Sequence, residues 1–293
     1  MLAGSMRPSL SFTPQPNLVV VRTSAGLEIV DVAGAAAPIP VAASSIEDFA
    51  VVSGQLWIAE GGVVPTLRRV TLGGEPIGER HPLWGLPGEG RLVRVPFGGG
   101  ALWTAAPPSV LVAVDGRLES TPVVGDAELI LPVSTNRWLI CARNRVTLRE
   151  PTAERWTTNI VGPGAILGGA ILLDGRAAAV LLDMPATPAH PDGAQQLVVI
   201  GLHQPVVQHR LTLAHADLIR FAPARGVAAL VAARRRLLLV DLRFGRVIKE
   251  HTWHRDVVDL AIDDAGQHVV LRLDGAGDVI HMAVRDLVAA EPA

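Results

Sequence analysis

Apolar residues recur along the chain in short runs of about four to seven positions, rich in Val, Leu and Ile. Gly, Asn, Asp and Pro bound these runs at intervals of roughly 8–12 residues. No window keeps the i, i+3, i+4, i+7 spacing of an amphipathic helix for three turns without a Gly or Pro. The pattern therefore predicts an all-β fold, which can be a sandwich, a barrel or a propeller.

One kind of apolar run repeats, always after a turn that contains Gly, Asn or Asp. Its copies lie at residues 17–22, 54–59, 100–105, 136–141, 175–180, 226–231 and 266–271. A second strand usually precedes each copy, as at residues 46–52, and two more follow, as at 236–241 and 246–252. Four strands in about 40 residues is the period of a propeller blade. We predict a single β-propeller domain over residues 1–293 with about seven four-stranded blades.

The blade count and the closure of the ring stay open. Six blades is the alternative, if the weak unit at residues 163–213 merges with a neighbour or the first unit is incomplete. The first unit lacks a clear inner strand and the last unit lacks a clear outer strand, and residues 8–13 can supply either. We expect N- and C-terminal strands to close the ring, because an open edge exposes unpaired backbone groups. Otherwise residues 1–15 form a flexible N-terminal segment.

Three of the repeat copies carry a tryptophan, at Trp57, Trp103 and Trp138. Indole is large and mostly apolar, so it suits the space between the faces of neighbouring blades. We interpret the three as structural residues that pack between blades.

The stretch at residues 237–284 resembles the WD40 and YVTN propellers. Residues 237–250 match the third strand, glycine turn and fourth strand of that family. His215 and His254 stand where the family has the histidine of its Gly-His element, and Asp274 lies in the tight turn where it keeps an aspartate. The resemblance implies that these three residues are structural and belong to a buried histidine–aspartate hydrogen-bond network. The family's glycine before each histidine is absent here, and Ala283-Val284 replaces its Trp-Asp pair.

Charge and composition narrow the class of protein. The 26 basic and 28 acidic residues give a formal net charge of −2, which argues against nucleic-acid binding by bulk charge. The single cysteine, Cys141, excludes an internal disulfide framework. The N-terminus lacks the apolar stretch of a signal peptide, and no run reaches the roughly 18 apolar residues that span a bilayer. We expect a cytoplasmic protein, and the abundance of Arg, Ala and Gly is typical of a GC-rich bacterial genome.

Alignment of the first strands of the units places four charged residues at one level: Asp48, Arg94, Arg220 and Asp259. If these side chains line the central channel, they form either a site for a small polar ligand or ion pairs between blades. The sequence has no nucleophile elbow, no P-loop and no zinc-binding HExxH pattern. We therefore assign no catalytic residue, no metal and no cofactor. The alternative is a metal-dependent, lactonase-like propeller hydrolase with an axial site, because calcium-dependent propeller hydrolases resemble this fold.

Two surface features are candidate partner-binding sites. Arg234, Arg235 and Arg236 occupy a turn between two strong strands. Three guanidinium groups there can dock an acidic partner or a phosphate, and the alternative is a hairpin tip that only aids solubility. A proline-rich insertion at residues 184–193, with His190 and Asp192, lengthens one unit, and long loops on a rigid scaffold often carry function.

These observations favour a non-enzymatic protein-interaction scaffold, although fold alone does not fix function. In size and composition the chain also resembles the stand-alone bacterial propellers that work with MoxR-type AAA+ ATPases and von Willebrand factor A proteins. The resemblance implies protein partners of those two kinds. We expect no membrane partner and no nucleic-acid partner.

Overall fold

The computed structural model describes residues 9–15, 17–41, 45–84, 90–95, 99–105, 108–123, 127–143, 145–150, 152–160, 164–188, 190, 193–213, 215–275 and 279–285. Within these ranges the chain forms seven consecutive antiparallel sheets. The first three are blades 1 to 3. Blade 1 contains β1 (Leu10–Phe12), β2 (Leu18–Thr23), β3 (Gly26–Asp31) and β4 (Ile39–Val41). Blade 2 contains β5 (Ile46–Val52), β6 (Gln55–Glu60), β7 (Thr66–Thr71) and β8 (His81–Pro82). Blade 3 contains β9 (Leu92–Arg94), β10 (Gly100–Trp103), β11 (Ser109–Val114) and β12 (Arg117–Pro122).

The remaining four sheets follow the same order along the chain. Blade 4 contains β13 (Leu129–Ser134), β14 (Arg137–Ala142), β15 (Arg145–Glu150) and β16 (Ala153–Asn159). Blade 5 contains β17 (Ala165–Leu172), β18 (Ala177–Met184), β19 (Ala194–Gly201) and β20 (Val207–Leu213). Blade 6 contains β21 (Ala216–Ala222), β22 (Val227–Ala232), β23 (Arg236–Asp241) and β24 (Arg246–Thr252). Blade 7 contains β25 (Val257–Ile262), β26 (His268–Leu273) and β27 (Val279–Ala283).

The sheets form a closed ring, because the first strand of each blade packs against the first strand of the next, and β25 packs against β1. These first strands surround the central channel. The predicted all-β propeller with seven blades is thus confirmed. The six-blade alternative is wrong, since the unit at residues 163–213 contributes a complete four-stranded sheet as blade 5.

The N-terminal segment supplies the inner strand of the first blade, one of its two predicted positions. β1 pairs with β2 in its own blade and packs beside β25 at the junction of blades 7 and 1. Blade 7 shows three strands within the described residues. Residues 1–8, which belong to the predicted N-terminal segment, lie outside those residues.

The strand period of two explains how the blades hold together. Each junction between neighbouring blades contains one cluster of buried apolar side chains. In β6, Leu56 and Ile58 point into the junction with blade 1, while Trp57 and Ala59 point into the junction with blade 3. Successive side chains on a strand face opposite sides of the sheet, so every central strand contributes to two junctions. A 3₁₀ turn occupies Leu173–Gly175, and no described helix is long and apolar enough to cross a membrane.

Candidate functional site

The three predicted structural tryptophans lie between blades, each about 1% exposed. Trp57 and Trp103 share the junction of blades 2 and 3, whereas Trp138 fills the junction of blades 3 and 4. Trp57 therefore faces the following blade, and the other two face the preceding blade. The repeat copies are similar in sequence, but their tryptophans do not occupy equivalent positions.

Two buried aspartates fasten one blade to the next. The Oδ1 atom of Asp48 accepts the backbone N–H of Phe49 at 2.9 Å, and its Oδ2 atom accepts the N–H of Leu92 in blade 3 at 2.9 Å. Asp259 repeats this arrangement: Oδ1 accepts the N–H of Leu260 at 2.8 Å, and Oδ2 accepts the N–H of Ser9, next to β1, at 2.7 Å. Both residues follow a β-bulge in an inner strand. They are equivalent positions that join blade 2 to blade 3 and blade 7 to blade 1.

Asp259 also receives two side-chain donors. The Oγ of Ser9 donates to its Oδ2 atom, and Arg220 Nη2 lies 3.0 Å from its Oδ1 atom. Arg220 belongs to blade 6, so this one carboxylate connects blades 6, 7 and 1. Oppositely charged residues of consecutive units do meet here, as the alignment of inner strands predicted for this pair.

The expected pairing of Asp48 with Arg94 does not form. Arg94 makes an ion pair with Asp264, in the turn between β25 and β26. Blades 1 and 2 separate blade 3 from blade 7 in the ring, so this ion pair crosses the channel. The reason is positional: Asp48 lies at the start of its inner strand, where backbone N–H groups of the next blade reach it, while Arg94 is the last residue of β9.

A cavity of about 570 Å³ occupies the channel, within the size range of small-molecule sites. Of the four residues predicted to line the channel, Asp48, Arg94 and Arg220 border it, while Asp259 does not. The cavity is also bordered by polar residues that the sequence did not place at the channel, and they are Ser11, Arg91, Asp183, Gln195, His215, Asp217 and Asp264. The wall also includes the apolar residues Phe49, Leu167 and Ile219.

The described residues contain no group of three or more His, Cys, Asp or Glu side chains arranged to hold a metal ion. The two aligned aspartates that suggested an axial metal accept backbone N–H groups instead. Cys141 is buried in the junction of blades 4 and 5, where burial and the nearby Glu128 charge raise the pKa of its thiol to about 12. Such a thiol stays protonated and is a poor nucleophile.

The arginine cluster at the turn between β22 and β23 faces carboxylates. Arg235 Nε lies 2.6 Å from Asp256 Oδ1, and Arg234 Nη1 lies 3.9 Å from Asp256 Oδ2. Arg236 Nη2 donates to Glu250 Oε2 at 2.8 Å, a hydrogen bond that raises the pKa of Arg236 and lowers that of Glu250. All three side chains keep substantial exposure, but their charges are largely compensated locally. A role in partner binding stays a prediction.

The histidine–aspartate network implied by the WD40 resemblance is not formed in the described residues. His254 and Asp274 are both exposed, and Asp274 Oδ1 accepts the N–H of Gly275 at 2.9 Å. His215 is exposed as well, with its Nδ1 atom 3.4 Å from Gln195 Nε2 at the cavity mouth. The glycine that precedes the histidine in the family is missing, and here the short Asp side chain bonds its own turn instead.

The insertion at residues 184–193 connects β18 to β19. His190 is exposed and exchanges two backbone hydrogen bonds of 2.9 Å with Thr187, which makes a tight local turn. Asp192 lies outside the described residues.

Comparison with known proteins identifies the fold but no family. No protein-family profile matches the sequence, and no curated protein matches it significantly. The structure is similar to the propeller domain of Cps50 (Swd1) from Myceliophteria thermophila, with a TM-score of 0.67 and 10% identity over 96% of this chain and 98% of that one. It is similar to Kuenenia stuttgartiensis hydrazine synthase, with a TM-score of 0.67 and 12% identity over 97% and 98% of the two chains. The WD40 domain of Neurospora crassa Pan2 gives a TM-score of 0.65 and 13% identity over 94% and 88%. These similarities establish a WD40-like seven-blade propeller and extend to the fold alone.

Proposed function

We propose that this chain is a non-enzymatic protein-interaction scaffold. The observation that carries the proposal is how the chain uses its charged and apolar side chains. The charged groups near the axis, above all Asp48, Asp259 and Arg220, fasten blades to one another. Large apolar side chains, in contrast, stand exposed on turns and outer strands, including Val63, Trp84 and Phe244. Aromatic residues are enriched at protein–protein interfaces, so exposed rings such as those of Trp84 and Phe244 are available to contact a partner.

We further propose that the scaffold acts in the bacterial cytoplasm with a MoxR-type AAA+ ATPase and a von Willebrand factor A protein. Support comes from the length of the chain, its composition rich in Arg, Ala and Gly, and its propeller fold, which suits protein interaction in general. The hydrolase alternative has no specific observation in its favour, because Asp48 and Asp259, the two aligned carboxylates on which it was based, accept backbone N–H groups.

The test is reconstitution from purified components. The full chain is mixed with the MoxR-type ATPase and the von Willebrand factor A protein of the same genome, and the masses of the species are measured by size-exclusion chromatography with light scattering. We expect a stoichiometric complex with at least one of the two proteins. Failure to bind either overturns the proposed system. One tightly bound metal ion per chain together with lactone hydrolysis overturns the scaffold proposal itself.

A further inference from the structure

The cavity in the central channel has two ends of different chemical character. At the end where the inner strands finish, the ion pair between Arg94 and Asp264 crosses the channel. At the end where the inner strands begin, the cavity is bordered by Asp183, His215 and Asp217, from blade 5 and the start of blade 6. We call this second end the blade 5–6 mouth. Because the ion pair bridges the first end, a ligand enters from the blade 5–6 mouth.

Strand alternation and one buried glutamine bring the two aspartates to this mouth. Asp183 lies two residues after Leu181, which faces the junction of blades 5 and 6, so both side chains lie on the same face of the sheet. Its cross-strand partner is Gln195, which is 2% exposed. Gln195 Oε1 accepts the N–H of Ala216 at 2.9 Å, and its Nε2 donates to the Ala216 carbonyl at 3.3 Å. Asp217 follows directly, as the extra residue of a β-bulge in β21. Gln195 thus links the wall that carries Asp183 to the wall that carries Asp217.

The two carboxylates at the blade 5–6 mouth lack a basic partner. No side-chain nitrogen of Arg, Lys or His lies within ion-pair distance of Asp183 or Asp217 among the described residues. The side chain of Asp183 also makes no hydrogen bond within that part of the chain. Asp217 Oδ2 accepts the backbone N–H of Arg234 at 2.7 Å. A cationic ligand therefore finds two negative charges that no basic side chain compensates.

The arginines that border the cavity already have acceptors. Arg94 forms the ion pair with Asp264, and Arg220 Nη2 lies 3.0 Å from Asp259 Oδ1. Arg91, which precedes β9 of blade 3, donates from Nη1 to a backbone carbonyl at 2.9 Å. An anionic ligand would have to compete with these acceptors, whereas a cation displaces no ion pair at the blade 5–6 mouth. The charges of the wall thus favour a positively charged ligand.

The wall beyond the mouth is apolar and leaves room for the body of a ligand. Leu167 and Ile219 border the cavity on neighbouring blades. The next wall positions of blade 5, residues 168–170, are two glycines and an alanine. A Cβ atom added at Gly168 would meet no heavy atom within 4 Å, so the space beside this residue is open. The cavity volume of about 570 Å³ suits a small organic molecule.

We propose that the channel binds a small organic ammonium ion with an apolar body. The ammonium group binds the carboxylates of Asp183 and Asp217, because charge-assisted hydrogen bonds are roughly twice as strong as neutral ones. The apolar body packs on Leu167 and Ile219 and fills the open space beside Gly168. This site goes beyond the scaffold function and does not depend on it, since the exposed side chains proposed to contact a partner lie outside the cavity.

The test uses a ligand-observed NMR titration of 3-phenylpropylammonium with the full chain at pH 7. We expect a Kd of about 1 mM or tighter, in line with the binding energy per atom of small ligands. 3-Phenylpropanol has the same apolar body without the charge, and we expect it to bind at least about fivefold more weakly. 3-Phenylpropionate carries the opposite charge and should bind more weakly than the alcohol.

Two sets of variants locate the bound ammonium. Asp183→Asn with Asp217→Asn keeps the shapes of both side chains and removes their charges. The control, Asp115→Asn with Glu119→Gln, makes the same change in net charge at two exposed residues of blade 3 outside the cavity. We expect the first pair to raise the Kd for the ammonium by about tenfold or more, and the control by less than about twofold. Gly168→Val should also raise this Kd by about tenfold or more, because its side chain occupies the open space in the cavity.

Four results overturn the proposal. The ammonium does not bind the wild-type chain, 3-phenylpropionate binds at least as tightly as the ammonium, the Asp183 and Asp217 pair weakens binding no more than its control, or folded Gly168→Val binds the ammonium as the wild type does. Circular dichroism and thermal unfolding of each variant confirm that the ring is intact. The Asp-to-Asn pair preserves side-chain volume, so it keeps the test decisive even if Gly168→Val does not fold.

Discussion

Asp259 is the residue whose removal should most weaken the closure of the ring. Its carboxylate is about 5% exposed and accepts hydrogen bonds from Ser9, Leu260 and Arg220. Asp259→Ala removes the acceptor of all these hydrogen bonds and leaves the Arg220 guanidinium without its carboxylate partner. Asp259 joins blade 7 to blade 1 through Ser9 and to blade 6 through Arg220. The lost hydrogen bonds therefore include those at the junction of blades 7 and 1, where the ring closes.

The magnitude follows from the burial of the pair. Stripping one partner from a fully buried ion pair costs about 3–5 kcal/mol. The Arg220 side chain is 20% exposed and its Nη1 atom still donates to the Ile219 carbonyl at 2.8 Å, so water and backbone recover part of that cost. We expect a loss of about 2–4 kcal/mol in the free energy of unfolding, which corresponds to a drop in Tm of about 3–7 °C in a chain of this length.

Urea unfolding followed by tryptophan fluorescence measures this change, with far-ultraviolet circular dichroism as a check on two-state behaviour. Arg220→Met should cost less than Asp259→Ala, because Asp259 keeps its backbone donors. Asp264→Ala is the control, since it breaks an ion pair with Arg94 in which both side chains are at least one-third exposed, and such pairs contribute about 0–1 kcal/mol. If Asp259→Ala costs no more than Asp264→Ala, the interpretation of Asp259 as the fastener of blades 6, 7 and 1 is wrong.

Three further measurements test the junctions between blades. Trp103→Ala should cost about 3–5 kcal/mol by leaving a cavity between blades 2 and 3, while Trp84→Ala, at an exposed ring, should cost less than about 1 kcal/mol in the same urea assay. The Cys141 thiol, whose pKa is about 12, should resist a thiol reagent at pH 8 in the native protein and react at once in urea; rapid reaction in the folded state contradicts its burial. Burial and the neighbouring His268 lower the pKa of His281 below its ordinary value near 6.5, so the unfolded chain binds more protons and Tm should fall as the pH drops below about 6.5. His281→Gln should flatten that fall between pH 6.5 and 5, and an unchanged slope contradicts the assignment.

The architecture was predictable because the sequence features that define a blade are local ones. Turn residues, strand lengths and a repeat of about 40 residues can be recognised in the sequence without any knowledge of contacts between blades. The face of the sheet to which a given side chain points is harder to predict from the sequence. Trp57 and Trp103 look equivalent from their glycine turns, yet they face each other across one junction, because a shift of one residue moves a side chain to the other face of the sheet.

The heights of the charged residues along the channel axis were only partly predictable, because β-bulges shift the residues of the inner strands relative to one another. The bulges before Asp48 and Asp259 insert one residue into each inner strand without changing the apolar pattern. Measured from its own bulge, Arg220 lies two residues further along β21 than Asp259 lies along β25. The alignment that placed the two at one level was therefore inexact, and the ion pair forms because the long arginine side chain spans the difference. The Arg94–Asp264 pair had no sequence signal, since it joins blades that are not neighbours.

The sequence also does not reveal which surface charges are compensated by neighbouring residues in the fold. That compensation affects where a charged partner can bind. Three consecutive arginines are a conspicuous signal, but Arg234, Arg235 and Arg236 meet Asp256 and Glu250, which fold back onto them from the following strand and loop. Arg243 and Arg246 look unremarkable in the sequence, yet the fold places the guanidinium carbon of each 5.4 Å from the centre of the Phe244 ring. In blade 6 the charge of the three consecutive arginines is thus compensated by the strand and the loop that follow them in the chain. Attraction for a partner then depends on which arginines lack such a neighbour, and that property can be read only from the folded ring.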